Sequence, residues 1–121
     1  MTATRMPSKP DDRNLGRKEQ IDALLLQLPG VSAGSINGLD AYFVGGRMFA
    51  CIHGEGLAIR LPAATAADLQ FARDNVVPFS PAGVASTREW IEIRRADALD
   101  YEQDLELMRT SLEYVKRSRT R

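Results

Sequence analysis

Between Ala41 and Pro62 the chain is three apolar runs cut by two glycine turns, Gly45-Gly46 and Gly54-Glu55-Gly56. Short apolar runs joined by two or three turn residues pair as antiparallel neighbours, because so short a link cannot carry the chain back for parallel pairing. Leu57, Ile59 and Leu61 alternate with Ala58 and Arg60, the period of a half-buried strand. Met48 to Ile52 is apolar at every position, so both faces of that strand need cover. From Arg88 to Arg94 the alternation returns. Ile91 and Ile93 share one face with Glu89, while Trp90, Glu92 and Arg94 share the other.

Helical spacing appears on either side of the meander. Ile21, Leu24, Leu25 and Leu28 fall at i, i+3, i+4 and i+7, which predicts a helix over 17–28 that Pro29-Gly30 stops. The small-residue stretch Ser32 to Asp40 predicts an irregular first strand near Ser35-Ile36 and a turn at Asn37-Gly38. Ala63 to Asn75 reads as a second helix, with Thr65 as N-cap, Asp68 near its dipole, and Leu69 and Phe71 to pack. The proline-broken segment from Val76 to Thr87 reads as an edge strand or loop. Tyr101, Leu105, Met108, Leu112 and Val115 predict a last helix over 97–118, with acids in its first turns and bases in its last. The expected architecture is a two-layer α+β sandwich of α-β3-α-β2-α order with a mainly antiparallel five-stranded sheet. Residues 1–16 are expected to form a flexible leader, and 17–121 a single domain.

Composition narrows the class. The chain has 121 residues, of which 44% are hydrophobic, enough for one core. A single cysteine, Cys51, excludes an intrachain disulfide, and the polar N-terminus carries no apolar signal core. The expectation is a cytoplasmic protein that does not enter the membrane. Sixteen acids balance sixteen bases, so the whole surface does not attract nucleic acid. The C-terminal run VKRSRTR is the exception. There Lys116, Arg117, Arg119 and Arg121 could contact phosphates, or could simply complement the helix dipole.

Candidate chemistry is sparse. His53 could act as a base toward Cys51, yet residues i and i+2 of a strand share a face without forming a reliable dyad, and no third orienting group is evident. One His and one Cys cannot close a zinc site. The glycine turns do not lead from a strand into a helix, as nucleotide-binding loops do. No catalytic, metal or cofactor residue is therefore assigned. Trp90 offers more, because it lies on the strand face opposite the isoleucines. With Met48 or Phe49, and with Arg94 beside it, it would make a surface for a protein partner or a second copy, unless a helix or the leader covers that face.

The run GLDAYFVGGRMFACIHGEGLAIRLP, the later PFSP, the REWIEI strand and the SLEYVKR ending resemble the TfoX N-terminal domain family, named for regulators of natural competence in bacteria. The residues that carry the resemblance are Phe43, Val44, Gly46, Arg47, Met48, Phe49 and Ala50, then Leu57, Arg60, Leu61 and Pro62. The related MmcQ/YjbR group is matched by Leu28 to Val31, Gly38 and Ala41. Where the TfoX family has Met-Phe-Gly before the first turn, this chain has Ser35-Ile36-Asn37-Gly38. The resemblance spans about residues 20–118 and implies a stand-alone N-terminal-type domain. Together with the missing catalytic constellation and the two-sided apolar central strand, it leads to the expectation of a non-enzymatic module acting by protein–protein contact, in transcription or competence control as the family name suggests. The alternative is a nucleic-acid-binding accessory factor that uses the basic tail, with Arg94 or Trp90.

Overall fold

A computed structural model of the chain describes residues 10–54, 56–80 and 88–117. Helix α1 (Pro10–Leu25) leads into strands β1 (Val31–Ile36), β2 (Leu39–Val44), β3 (Arg47–His53) and β4 (Gly56–Arg60). Helix α2 (Ala63–Ala72), strands β5 (Val76–Pro78) and β6 (Trp90–Arg94), a 3-10 stretch (Ala98–Asp104) and helix α3 (Leu105–Arg117) follow. The strands form one antiparallel sheet in the order β1-β2-β3-β4-β6-β5. The α+β sandwich is thus as expected, with six strands in place of five.

The sixth strand is β1. It is the irregular strand expected near Ser35-Ile36, extended back to Val31 although its residues, VSAGSI, show no alternation. The turn that follows does the work. Asn37 and Gly38 have φ of +52° and +82°, the left-handed pair of a tight hairpin whose twist matches the strands it joins. That turn sets the register from Ile36↔Leu39 back to Val31↔Val44. Gly45 and Gly46, at φ +60° and +79°, close the next hairpin in the same way. A bulge then shifts the β2–β3 register between Tyr42 and Phe43, leaving Phe49 without a partner on β2.

Helix boundaries differ from the pattern reading, with α1 ending at Leu25 rather than Leu28 and α2 at Ala72 rather than Asn75. Helix α1 begins at Pro10, inside the stretch expected as leader, while residues 1–9 lie outside the described residues. Helix α2 has Pro62 at its N-cap with no side-chain cap, so Thr65 lies within the helix. Phe71, expected to pack, is 95% exposed. The stretch expected as the start of the last helix is 3-10. In a 3-10 turn residues three apart share a side, so Tyr101 and Asp104 both turn inward, where Tyr101 Oη donates to Ile93 O at 2.9 Å.

All three helices pack on one sheet face. Ile21, Leu24 and Leu25 of α1, Ala66 of α2, and Met108, Leu112 and Val115 of α3 meet Tyr42, Val44, Phe49, Ala50, Leu57, Ile59, Ile91 and Ile93. The other face carries a separate apolar cluster of Ala41, Cys51, Ala58, Phe79 and Trp90, edged by Ile36, Leu39, Phe43 and Met48. No helix among the described residues is long and apolar enough to cross a membrane.

Candidate binding site on the helix-free face of the sheet

Strand register builds this site row by row. Ala41, Cys51, Ala58 and Glu92 stand abreast on β2, β3, β4 and β6, and His53, Gly56 and Arg94 form the next row. The first row is small except at Glu92, so the centre of the face is a low floor. Around it lies a hollow of about 300 Å³, lined by Ile36, Leu39, Met48, Cys51, His53 and Phe79, with Asn37 and Ser80 at its polar edge.

One rim of the hollow is polar. His53 Nδ1 lies 2.9 Å from Glu92 Oε1, and Arg94 Nε donates to Glu92 Oε2 at 2.9 Å. The Glu92 side chain is 5% exposed, whereas those of His53 and Arg94 are 51% and 61% exposed. A buried carboxylate is tolerable when both oxygens accept hydrogen bonds, as here. With Glu92 ionised, Nδ1 carries the histidine proton, and Nε2 remains as the acceptor a ligand could use. The His53 ring also packs against Phe79, with centroids 5.0 Å apart, and Phe79 packs against Trp90 at 6.0 Å.

Cys51 is fully buried in the floor. Loss of solvent, aided by the Glu92 charge, pushes its thiol up to about 11. At neutral pH it is a protonated, weakly nucleophilic group. No group of three or more His, Cys, Asp or Glu placed to hold a metal occurs among the described residues. This arrangement can receive an apolar side chain and hydrogen-bond its polar neighbour. It holds no activated nucleophile.

The candidates from the sequence fall in different places. Trp90 is on the helix-free face as its alternation predicts, but it is 2% exposed and forms the interior of the second cluster. Of the pair Met48 and Phe49, Met48 lines the hollow. Phe49 is fully buried in the helix-covered core, because the bulge turns both it and Ala50 to that side. Arg94 is at the rim. Lys116 and Arg117 are exposed at the end of α3, and Arg119 and Arg121 lie outside the described residues. Lys116 lines a separate hollow with Arg47, Gly30 and Gly45, at the opposite end of β3 from His53 and Arg94. Lys116 and Arg94 therefore do not form one surface. Ile36, Leu39, Phe79 and Glu92 were missed as site residues in the sequence. Glu92 was placed on the right face but not with His53, and Phe79 was read only as part of an edge strand or loop.

No family model matches the chain, and no match is found among curated proteins. Among solved structures, the crystal structure of Deinococcus radiodurans protein DR2400, which has the family-model domain DUF419, superposes with a TM-score of 0.69. The two are 17% identical, and the match covers 84% of this chain and 79% of that chain. This chain shares the fold of that DUF419 protein. The likeness is consistent with the resemblance to the MmcQ/YjbR group.

Proposed function

We propose that the protein is a non-enzymatic interaction module whose helix-free sheet face receives an apolar side chain of a protein partner. The observation that carries this reading is the hollow walled by Ile36, Leu39, Met48 and Phe79, with the His53–Glu92 pair at its rim. Apolar walls provide the driving force, and a fixed polar rim sets orientation. The protonated Cys51 thiol supports binding over covalent chemistry. The TfoX resemblance supports a role for such a module in transcription or competence control, in the cytoplasm. A second reading, contact with nucleic-acid phosphates, rests on Lys116 and Arg47 sharing a hollow beside two glycine turns. It predicts binding to duplex DNA that weakens steeply with salt and is lost on truncation after Val115.

The test of the first reading is photo-crosslinking in the native cell, with benzoylphenylalanine at Met48 and, as control, at exposed Leu26. Discrete adducts from position 48 that disappear with Leu39→Glu are expected. Equal or fewer adducts at 48 than at 26 would refute it.

A further inference from the structure

Strands β1 and β5 are the two edges of the sheet, and they are built differently. Strand β5 has three residues and ends on Pro78, a form that deters a further strand. Strand β1 runs six residues, VSAGSI, with no charge, no proline and no break in register, and Ser32, Ala33, Gly34 and Ser35 are exposed. The turn after it tells which backbone groups are free. The pair flanking a two-residue hairpin turn exchanges both of its bonds, and bonded pairs alternate from there. Ile36↔Leu39, Gly34↔Ala41 and Ser32↔Phe43 are therefore the bonded pairs, while Val31, Ala33 and Ser35 point their backbone groups away from β2. The N–H of Val31 agrees, because it donates to Leu28 O at 3.4 Å. The N–H groups of Ala33 and Ser35 and the carbonyls of Val31, Ala33 and Ser35 have no partner among the described residues. Backbone groups in such a row are met by another extended strand.

We propose that β1 pairs antiparallel with the β1 of a second copy about a two-fold axis at Ala33, joining the two sheets into one. Symmetry limits the register. A two-fold axis normal to the sheet keeps each face on its own side, so opposed residues must point to the same face and lie an even number of positions apart. With Ala33 on the axis, Val31 opposes the partner's Ser35, and Ser32 opposes the partner's Gly34. Each Ala33 N–H then donates to the partner's Ala33 carbonyl, and each Ser35 N–H to the partner's Val31 carbonyl. An axis at Gly34 would instead oppose two glycines, which have no side chains to make a cross-strand contact. The side chains suit a second copy. Every opposed pair is small or uncharged, so no like charges meet at the seam. With zero net charge, two copies approach without long-range repulsion. On the helix-free face the Phe43 ring leans over Gly34, with Cε1 3.0 Å from where a β-carbon would stand, and it is only half-buried. The two-fold places one such ring on either side of the seam and continues the apolar cluster of each copy toward the other. This edge does not depend on the reading given to the sheet-face hollow.

Sedimentation velocity at about 100 μM, where a Kd of about 10 μM leaves mostly dimer, tests the proposal. The wild-type protein should sediment near twice the chain mass. Ala33 is exposed and opposes itself on the axis, so Ala33→Lys or Ala33→Glu sets two like charges side by side. Each variant alone should weaken the dimer at least about tenfold, a shift of about 1.4 kcal/mol, and sediment closer to the mass of one chain. Dilute samples of both should melt as wild type does, because the monomer loses no contact. An equal mixture of the two variants should recover the dimer, since lysine then opposes glutamate. A wild type at the mass of one chain, a single variant that dimerises as tightly as wild type, or a mixture that stays monomeric would overturn it.

Discussion

A β-carbon at Gly56 would stand 2.4 Å from Glu92 Oε2 and 2.6 Å from its Cγ. The glycine is needed there for space, since Gly56 is not among the glycines with positive φ. It lets the carboxylate sink into the sheet face between His53 and Arg94. Gly56→Ala should displace Glu92 and cost about 1–3 kcal/mol in urea denaturation, the usual penalty of overpacking. Glu92→Ala in the same chain should recover much of that loss. If the two losses simply add, the carboxylate is not what the glycine accommodates. Cys51 gives a pH prediction on the same face. Its thiol is raised from 9.0 to about 11 in the fold, so between those values the unfolded chain has lost the proton that the folded chain keeps. Stability should therefore fall as pH rises from about 9 to 11. Tyr42 and Tyr101 are also raised by burial and act in the same direction at slightly higher pH. Cys51→Ala isolates the thiol. Its stability should decline less than wild type over that window, and parallel curves would contradict the assignment.

At the scale of elements, the 3-10 stretch shows how a local pattern yields to long-range bonds. Asp97 Oδ1 accepts from Leu99 N at 3.0 Å and starts the turn. Asp104, fully buried, then accepts from Arg95 Nε at 3.0 Å and Nη2 at 2.8 Å, and from Arg73 at 3.3 Å. Arg17 of α1, itself buried, donates to Arg95 O at 3.0 Å and lies over the Tyr101 ring. This cluster ties α1, the end of α2, β6 and the 3-10 turn together. Asp104→Ala should cost about 2–4 kcal/mol, somewhat below a fully buried pair because both arginines reach solvent. Asp104→Asn should fall between it and wild type. A change under about 0.5 kcal/mol in guanidinium denaturation would mean the cluster adds nothing to stability. The heptad-like spacing of Tyr101, Leu105, Met108, Leu112 and Val115 was legible, and these side chains do face the core. The change of helix type was not, because apolar spacing alone does not separate a short 3-10 stretch from an α-helical turn.

At the scale of the whole molecule, two surfaces lie on opposite layers. The sheet face offers an apolar hollow with a polar rim, and α2 offers an exposed aromatic beside an alanine groove. Sites without shared contacts act independently. Leu39→Glu should therefore remove the Met48 crosslinks, while Phe71→Glu, on the opposite layer, should leave them intact. Crosslinks lost with Phe71→Glu as well would mean that the adducts do not report the sheet-face hollow.

Glycine pairs, strand alternation and helical spacing were enough to determine the antiparallel meander, the last strand with Trp90 facing away from the isoleucines, and the α+β layering. These are local signals, set by turn geometry and by periods of 2 and 3.6 residues. Tertiary structure alone decided the rest. It extended the irregular strand expected near Ser35-Ile36 back to Val31, because the hairpin turn supplied a partner for its whole backbone. It turned Phe49 inward through the bulge, and it joined His53 to Glu92 across 39 positions. It also left Phe71 exposed, because α2 reaches its sheet through Ala66 and Leu69, and nothing among the described residues covers its remaining sides.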